Sequence, residues 1–117
     1  MEYTLGEIEG RFADLIWAHE PIASGELVKL AQKELGWKKS TTYTVLKRLC
    51  ERGLFVNADA VVTSCISRSE FSARRSRQFV KQHFSDSLPA FLTAFTDGRK
   101  LTPEEIKALE DLIEKDT

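Results

Sequence analysis

Cysteine and histidine are scarce in this chain of 117 residues, with two of each. Cys50 and Cys65 lack CxxC spacing, and such sparse cysteine usage predicts a reduced, cytoplasmic compartment. His19 and His83 have no cluster of further ligands or carboxylates beside them in the sequence. Because an enzyme needs a nucleophile with a base, a carboxylate pair or a metal cluster, we expect no catalytic centre, no metal and no cofactor.

Long apolar runs are also missing. No run approaches the roughly 20 residues that a membrane-spanning helix needs. The first residues contain neither the basic segment nor the apolar segment of a signal peptide. We therefore expect a protein that is not inserted into a membrane. A chain of this length fits one compact domain, or a smaller domain with an appendage.

Acidic residues are absent between Gly36 and Cys50. Within this stretch, Tyr43, Leu46 and Leu49 recur at helical spacing, which predicts a helix with one buried face. The other face carries only hydrogen-bond donors and cations: Lys39, Thr41, Thr42, Thr44, Lys47 and Arg48. Such side chains are suited to contact a phosphate backbone and the base edges of a major groove.

Charge is distributed unevenly along the chain, although the formal net charge is only −1. Residues 38–81 contain ten Lys or Arg against three Asp or Glu, whereas the segments on either side are acidic. A basic centre between acidic ends indicates a polyanion site confined to one face. The alternative is a chance cluster of cations on solvated helices.

Helix signals follow one another along the first half of the chain. Thr4 and Glu7 form a capping box before a first helix that reaches about Ala18. Ser24 is expected to cap a second helix, which Gly36 ends. A third helix is predicted over about residues 40–52.

Two short β-segments complete this half. Ile22-Ala23 predicts a short strand, and Leu54 to Ile66 predicts a hairpin that turns around Asn57 to Asp59. Three helices followed by a hairpin are typical of a winged helix-turn-helix, with the third helix as the recognition helix. We therefore predict a mainly α fold with a small β-hairpin, and a DNA-binding domain over residues 1–68.

The remaining residues, 69–117, predict a helical dimerisation region. Helix 4 begins after a Ser67 cap and is expected to bury Phe71, Phe79 and Val80. Two further helices have apolar stripes without a third layer to cover them. We expect the same region of a second chain to cover these stripes, the alternative being a monomer whose tail folds back. The predicted interface comprises Leu88, Phe91, Leu92, Phe95, Ile106, Leu109, Leu112 and Ile113.

These residues resemble the penicillinase-repressor family over nearly the whole chain. The resemblance includes Leu5 to Glu9 and Ile16-Trp17 in the first helix. It is most specific from Gly36-Trp37 to Gly53-Leu54, including the threonines and Lys47-Arg48-Leu49. In the tail it rests on Ser69 to Phe71, Ser87 to Phe95 and Leu101 to Ile106.

The resemblance implies a cytoplasmic bacterial repressor that binds a palindromic operator as a homodimer. The antibiotic-sensing branch is inactivated by cleavage of an Asn-Phe bond in the tail, triggered by a membrane sensor-protease. The corresponding bond here is Ala94–Phe95, so this sequence departs from the family at that site. The copper-sensing branch binds metal through paired cysteines near the C-terminus. Because no cysteine follows Cys65, the copper mechanism is not expected.

The resemblance and the charge pattern assign roles in the third helix. The residues at its start would contact phosphates near the helix N-terminus. The threonines would contact base edges or thymine methyls, and the last two cations would reach phosphate or guanine. These predicted DNA contacts are Lys38, Lys39, Ser40, Thr41, Thr42, Thr44, Lys47 and Arg48.

The hairpin departs from the basic wing that is usual in the family. It has no Lys or Arg between Leu54 and Ile66, and Asp59 would repel phosphate. We therefore expect the wing to contribute little to DNA affinity. An adaptor that binds proteins, without sequence-specific DNA binding, is the alternative function.

Overall fold

Six helices and a three-stranded sheet make up the computed structural model, which describes residues 3–116. The predicted mainly α fold with a small hairpin is confirmed. The elements in chain order are α1 (Glu7–His19), β1 (Ile22–Ala23), α2 (Ser24–Leu35), α3 (Lys39–Glu51), β2 (Phe55–Ala58), β3 (Val61–Ser64), α4 (Arg68–His83), α5 (Leu88–Phe95) and α6 (Pro103–Lys115).

The sheet has the antiparallel order β1-β3-β2. Ile22 lies opposite Val62, so the predicted short strand joins the hairpin as its third member. The hairpin turns at Asp59 and Ala60, later than expected, and both residues have left-handed φ angles of 53° and 60°. Positive φ at two consecutive residues is typical of the tight turns that match the twist of a hairpin.

The described chain forms two compact units that divide after Ser76, inside α4. We predicted a division between residues 68 and 69. The first turns of α4 instead belong to the N-terminal unit because the Phe71 ring is buried there. Its centroid lies 5.9 Å from that of Tyr3 and 5.6 Å from that of Trp17.

The core of the N-terminal unit is formed by the inward faces of α1, α2 and α3 against one face of the sheet. The indole Nε1 of Trp17 donates a hydrogen bond to the backbone carbonyl of Ile66 at 3.0 Å. Its ring also packs against Phe55 with a centroid distance of 5.3 Å. The fully buried side chains at the centre include Phe12, Ile16, Leu27, Leu46, Leu49, Leu54, Phe55 and Val62.

Two of the predicted helix caps are wrong. The N-cap of α1 is Gly6, and Thr4 instead contributes its backbone carbonyl, which accepts a 2.6 Å hydrogen bond from Arg52 Nη2. Ser24 lies inside α2, whose N-cap is Ala23. The Ser24 hydroxyl is buried and accepts a hydrogen bond from the Tyr43 hydroxyl at 3.3 Å. A tertiary partner therefore binds the Ser24 hydroxyl that was predicted to cap the helix.

The C-terminal unit contains α5 and α6, each of which begins with a side-chain cap. Ser87 Oγ accepts from the Ala90 amide, and Thr102 forms a reciprocal capping box with Glu105. The prediction that Phe79 is buried is wrong, because 48% of it is exposed. Val80 is half-buried. The C-terminal unit consists of the end of α4 with α5 and α6, and these three helical segments do not enclose its aromatic rings.

Candidate nucleic-acid interface

A three-residue turn between α2 and α3 sets the direction of the basic helix. Gly36 adopts φ +70° at the end of α2, and its N–H donates to the Gln32 carbonyl at 3.0 Å. This left-handed conformation strongly favours glycine. Trp37 then packs on Phe12 with a ring-centroid distance of 5.0 Å. The turn is thus fixed to α1 as well as to α2.

The buried and exposed faces of α3 are sharply divided. Val45, Leu46 and Leu49 are buried in the core. On the opposite side, Ser40, Thr44 and Lys47 are exposed and, at intervals of four and three residues, form one outward row. This row is the part of α3 that points away from the core.

Thr42 does not belong to that surface, and its predicted base contact is wrong. Its side chain is fully buried, and its Oγ1 donates to the Lys38 carbonyl at 3.3 Å. A hydroxyl bonded to the carbonyl four residues earlier replaces solvent with a local acceptor. Thr42 is therefore a core residue, although the neighbouring threonines Thr41 and Thr44 are exposed.

The start of α3 presents positive charge without a compensating acid. Lys38 is the N-cap, Lys39 begins the helix, and no acidic residue lies in the first turn. Both lysines and Lys47 are exposed, and none of the three forms an ion pair within residues 3–116. Because a helix N-terminus already carries partial positive charge, this end of α3 is suited to a phosphate group.

The flanks of α3 are less uniform. Thr41 is exposed beside the outward row, and Arg48 lies along the flank that faces α1, where its Nη1 is 3.7 Å from Glu9 Oε2. Glu51 is exposed at the C-terminal end of α3 and brings negative charge there. The basic character of the helix is therefore concentrated toward its N-terminal half and Lys47.

The hairpin beside α3 is neutral to acidic and firmly anchored. The backbone N–H of Ser64 and its hydroxyl each donate to Glu20 Oε1 at 2.8 Å. The Ser24 amide donates to the Ala60 carbonyl at 2.8 Å, so the turn lies against the start of α2. Asp59 is exposed at the tip. Sequence reasoning missed the Glu20 contact, which joins residues 44 positions apart.

The predicted dimerisation residues lie in the C-terminal unit with their apolar surface largely uncovered. None of the side chains of α5 or α6 is buried. The largest exposures are those of Ile113 at 63% and Leu88 at 57%. Phe95, Ile106 and Leu112 are also exposed, whereas Phe91, Leu92 and Leu109 are half-buried.

Between α5 and α6 a groove of about 290 Å³ has an almost entirely apolar lining. Phe91 and Phe95 form one side and Leu109 part of the other. Arg99 borders it, with its guanidinium carbon 5.1 Å from the Phe95 ring centroid and Nη2 3.0 Å from Glu105 Oε2. A hydrogen bond from the Thr102 amide lowers the pKa of the Glu105 carboxyl below its usual value, and a second one from Arg99 contributes to this shift. The Ala94–Phe95 bond, which corresponds to the cleavage site of the antibiotic-sensing branch, lies in the last turn of α5.

Other chemistries find little support in the described part of the chain. His19 Nδ1 contacts the Leu15 carbonyl at 2.8 Å, as expected for a residue at a helix end. Among residues 3–116, no group of three or more His, Cys, Asp or Glu side chains is arranged to hold a metal ion. None of the described helices combines the length and apolar character that crossing a membrane requires.

Comparison with known proteins agrees with this geometry. The sequence model of the Penicillinase repressor family matches residues 5–115. A relative described as "Penicillinase repressor", from Bacillus licheniformis, is 25% identical over 115 residues. That alignment covers 95% of this chain and 90% of the relative. The chain therefore belongs to the Penicillinase repressor family, whose members are non-enzymatic transcriptional repressors.

Proposed function

We propose that this protein represses transcription in the cytoplasm by binding a palindromic DNA operator as a homodimer through α3. The observation that carries this proposal is the outward row of α3, defined by Ser40, Thr44 and Lys47. Two further lysines, Lys38 and Lys39, stand at its N-terminal end. Helix-turn-helix proteins read a major groove with hydrogen-bond donors on one face of a helix that follows a tight turn.

Each part of this surface has a distinct role in the proposal. Lys38 and Lys39 bind backbone phosphates and fix the register of α3 on the duplex. Ser40 and Thr44 meet base edges, while Lys47 reaches phosphate or guanine further along the groove. Thr41 contributes from the flank. Arg48 is the remaining cation, and its position beside Glu9 sets it apart from the others.

The dimer is supported by the uncovered apolar surface of the C-terminal unit. Ile113 and Leu112 protrude from α6, and Leu88 protrudes from α5. Exposed apolar patches rimmed by polar residues mark interaction sites. A twofold dimer covers the same patch on both copies and presents two recognition helices to two half-sites. We therefore propose a second copy of this chain as the occupant of the groove between α5 and α6.

The DNA-binding proposal is tested with purified full-length protein and fragments of the DNA immediately upstream of its own gene. A random duplex of equal length is the control, and the salt concentration is varied. We expect one fragment to bind at least about a thousandfold more tightly than the control, with affinity that falls steeply as salt rises. Equal weak binding to every duplex would overturn sequence-specific repression.

The dimer is tested by sedimentation at micromolar concentration. Ile113→Glu places a carboxylate in the apolar surface and should give a monomer that remains folded by circular dichroism. Lys107→Glu places the same group in α6 at a position that already carries charge, and it should leave the dimer intact. A wild-type monomer would contradict the proposal, as would a dimer that Ile113→Glu does not affect.

A protein-interaction adaptor is the second candidate, and the hairpin is the observation that favours it. Val56 and Val61 are exposed there, and the hairpin has no basic residue. Retention on heparin separates the two candidates, because an adaptor with a net charge of −1 has little reason to bind a polyanion. Salt-sensitive retention supports the repressor, and flow-through supports the adaptor.

A further inference from the structure

The side chain of Glu9 forms an unusual contact with the recognition helix. Glu9 lies in the first turn of α1, and its Oε2 is 3.7 Å from Arg48 Nη1. This oxygen is buried, and it accepts no hydrogen bond from the residues that the structure describes. The Arg48 side chain nevertheless remains 56% exposed.

A buried carboxylate oxygen without a hydrogen-bond donor is energetically unfavourable unless a nearby cation offsets its charge. Arg48 is the cation in that position. At 3.7 Å the two groups attract each other without a hydrogen bond, so the guanidinium keeps its donors available. A phosphate oxygen that approaches closely offers a charged hydrogen bond that Glu9 does not provide. Glu9 and a DNA phosphate therefore compete for Arg48.

We propose that Glu9 is a positioning residue that holds Arg48 away from DNA until α3 is seated in its operator. This inference rests on the proposed DNA-binding function. In a loose complex with random DNA, contacts are mainly electrostatic and Arg48 remains with Glu9. In the operator complex, base contacts fix the register of α3 and bring a phosphate close enough to displace Glu9. Glu9 thus acts through Arg48: it removes one phosphate contact from loose complexes, and the ion pair breaks only when the operator complex forms.

The test compares the salt dependence of binding to the operator fragment and to a random duplex. Each phosphate contact contributes about 0.9 to the log–log salt slope on duplex DNA. For Glu9→Gln we expect the slope on random DNA to steepen by about one and its affinity to rise about two- to fivefold. The slope on the operator fragment should stay unchanged, because Arg48 already binds phosphate there.

Three further variants separate this inference from a general effect of removing an acid. Glu9→Asp withdraws the carboxylate by one methylene without changing net charge, and it should also steepen the random-DNA slope. Glu7→Gln removes the same charge from an exposed residue of the same helix turn, and it should leave that slope as it is. In an Arg48→Gln background, Glu9→Gln should leave the random-DNA slope unchanged.

The possible results are distinguishable. If the wild-type protein does not distinguish the operator fragment from random DNA, the proposed function fails and this inference fails with it. If it does, but Glu9→Gln and Glu9→Asp keep the wild-type slope, only the role of Glu9 is overturned. The role of Glu9 would also be overturned if Glu7→Gln steepened the random-DNA slope as much as Glu9→Gln does. The same holds if Glu9→Gln still steepened this slope in the Arg48→Gln background.

Discussion

The indole N–H of Trp17 donates to the backbone carbonyl of Ile66 at 3.0 Å and so joins α1 to the segment that leads from β3 into α4. This contact spans 49 positions in the sequence. It helps to hold the start of α4 against the core of the N-terminal unit. The start of α4 is thus held by this hydrogen bond together with the buried Phe71 ring and the Arg68–Asp14 ion pair.

Removing that donor should destabilise the N-terminal unit. Trp17→Phe leaves the Ile66 carbonyl without its partner and should lower the free energy of unfolding by about 1–3 kcal/mol. Chemical denaturation followed by circular dichroism measures the change. Trp37→Phe is the matched control, because the Trp37 indole makes no hydrogen bond within residues 3–116. Equal losses in the two variants would show that the Trp17 hydrogen bond contributes nothing of its own.

The turn before α3 should be sensitive to its glycine. Gly36→Ala places a Cβ on a residue with φ +70° and should cost about 1–2 kcal/mol. Gly10→Ala is the control: this helical position has open space for a Cβ and should gain about 0.5–1 kcal/mol. Thermal unfolding of both variants checks the difference, and a Gly36→Ala protein as stable as Gly10→Ala would contradict the assignment.

The two cysteines should differ in reactivity. Burial raises the pKa of the Cys50 thiol, nearby Cys65 adds to this, and the backbone N–H of Asn57 opposes it. Because the thiolate is the nucleophile, Cys50 should be alkylated more slowly than exposed Cys65 at neutral pH. Its rate should then increase at higher pH than is usual for cysteine. Mass spectrometry after timed treatment with iodoacetamide measures both rates, and equal rates near pH 7 would refute this view of Cys50.

The hairpin should gain DNA affinity when it gains charge. Ala58→Lys adds a cation to the exposed end of β2, and it should tighten operator binding and steepen the salt slope by about one. Ala18→Lys adds the same charge to exposed α1, outside the hairpin and α3, and should leave the slope unchanged. An Ala58→Lys protein with the wild-type slope would mean that this hairpin does not approach the phosphate backbone.

Much of the fold was predictable because its signals are local. The apolar spacing of α3, the glycine that ends α2 and the β-branched residues of the hairpin each specify structure within a few positions. The Ser87 and Thr102 caps of α5 and α6 also depend on residues within a few positions. Local rules worked where no distant partner competed.

Two of the errors concern hydroxyl groups that have tertiary or main-chain partners. Ser24 was expected at a cap but binds Tyr43, and Thr42 was expected at the surface but is buried with its hydroxyl on the Lys38 carbonyl. Sequence alone shows only that such side chains are polar. Whether water or a protein atom satisfies them depends on packing. The contacts of Glu20 with Ser64 and of Glu9 with Arg48 are equally non-local.

The central claim is that α3 reads DNA with its outward row, and Lys47 tests it most directly. The measurement is the salt dependence of operator binding for Lys47→Gln beside Lys33→Gln, which neutralises an exposed lysine in the last turn of α2. We expect Lys47→Gln to weaken binding and reduce the log–log slope by about one, while Lys33→Gln matches wild type. A Lys47→Gln protein with wild-type affinity and slope would contradict the assignment of α3 as the recognition helix.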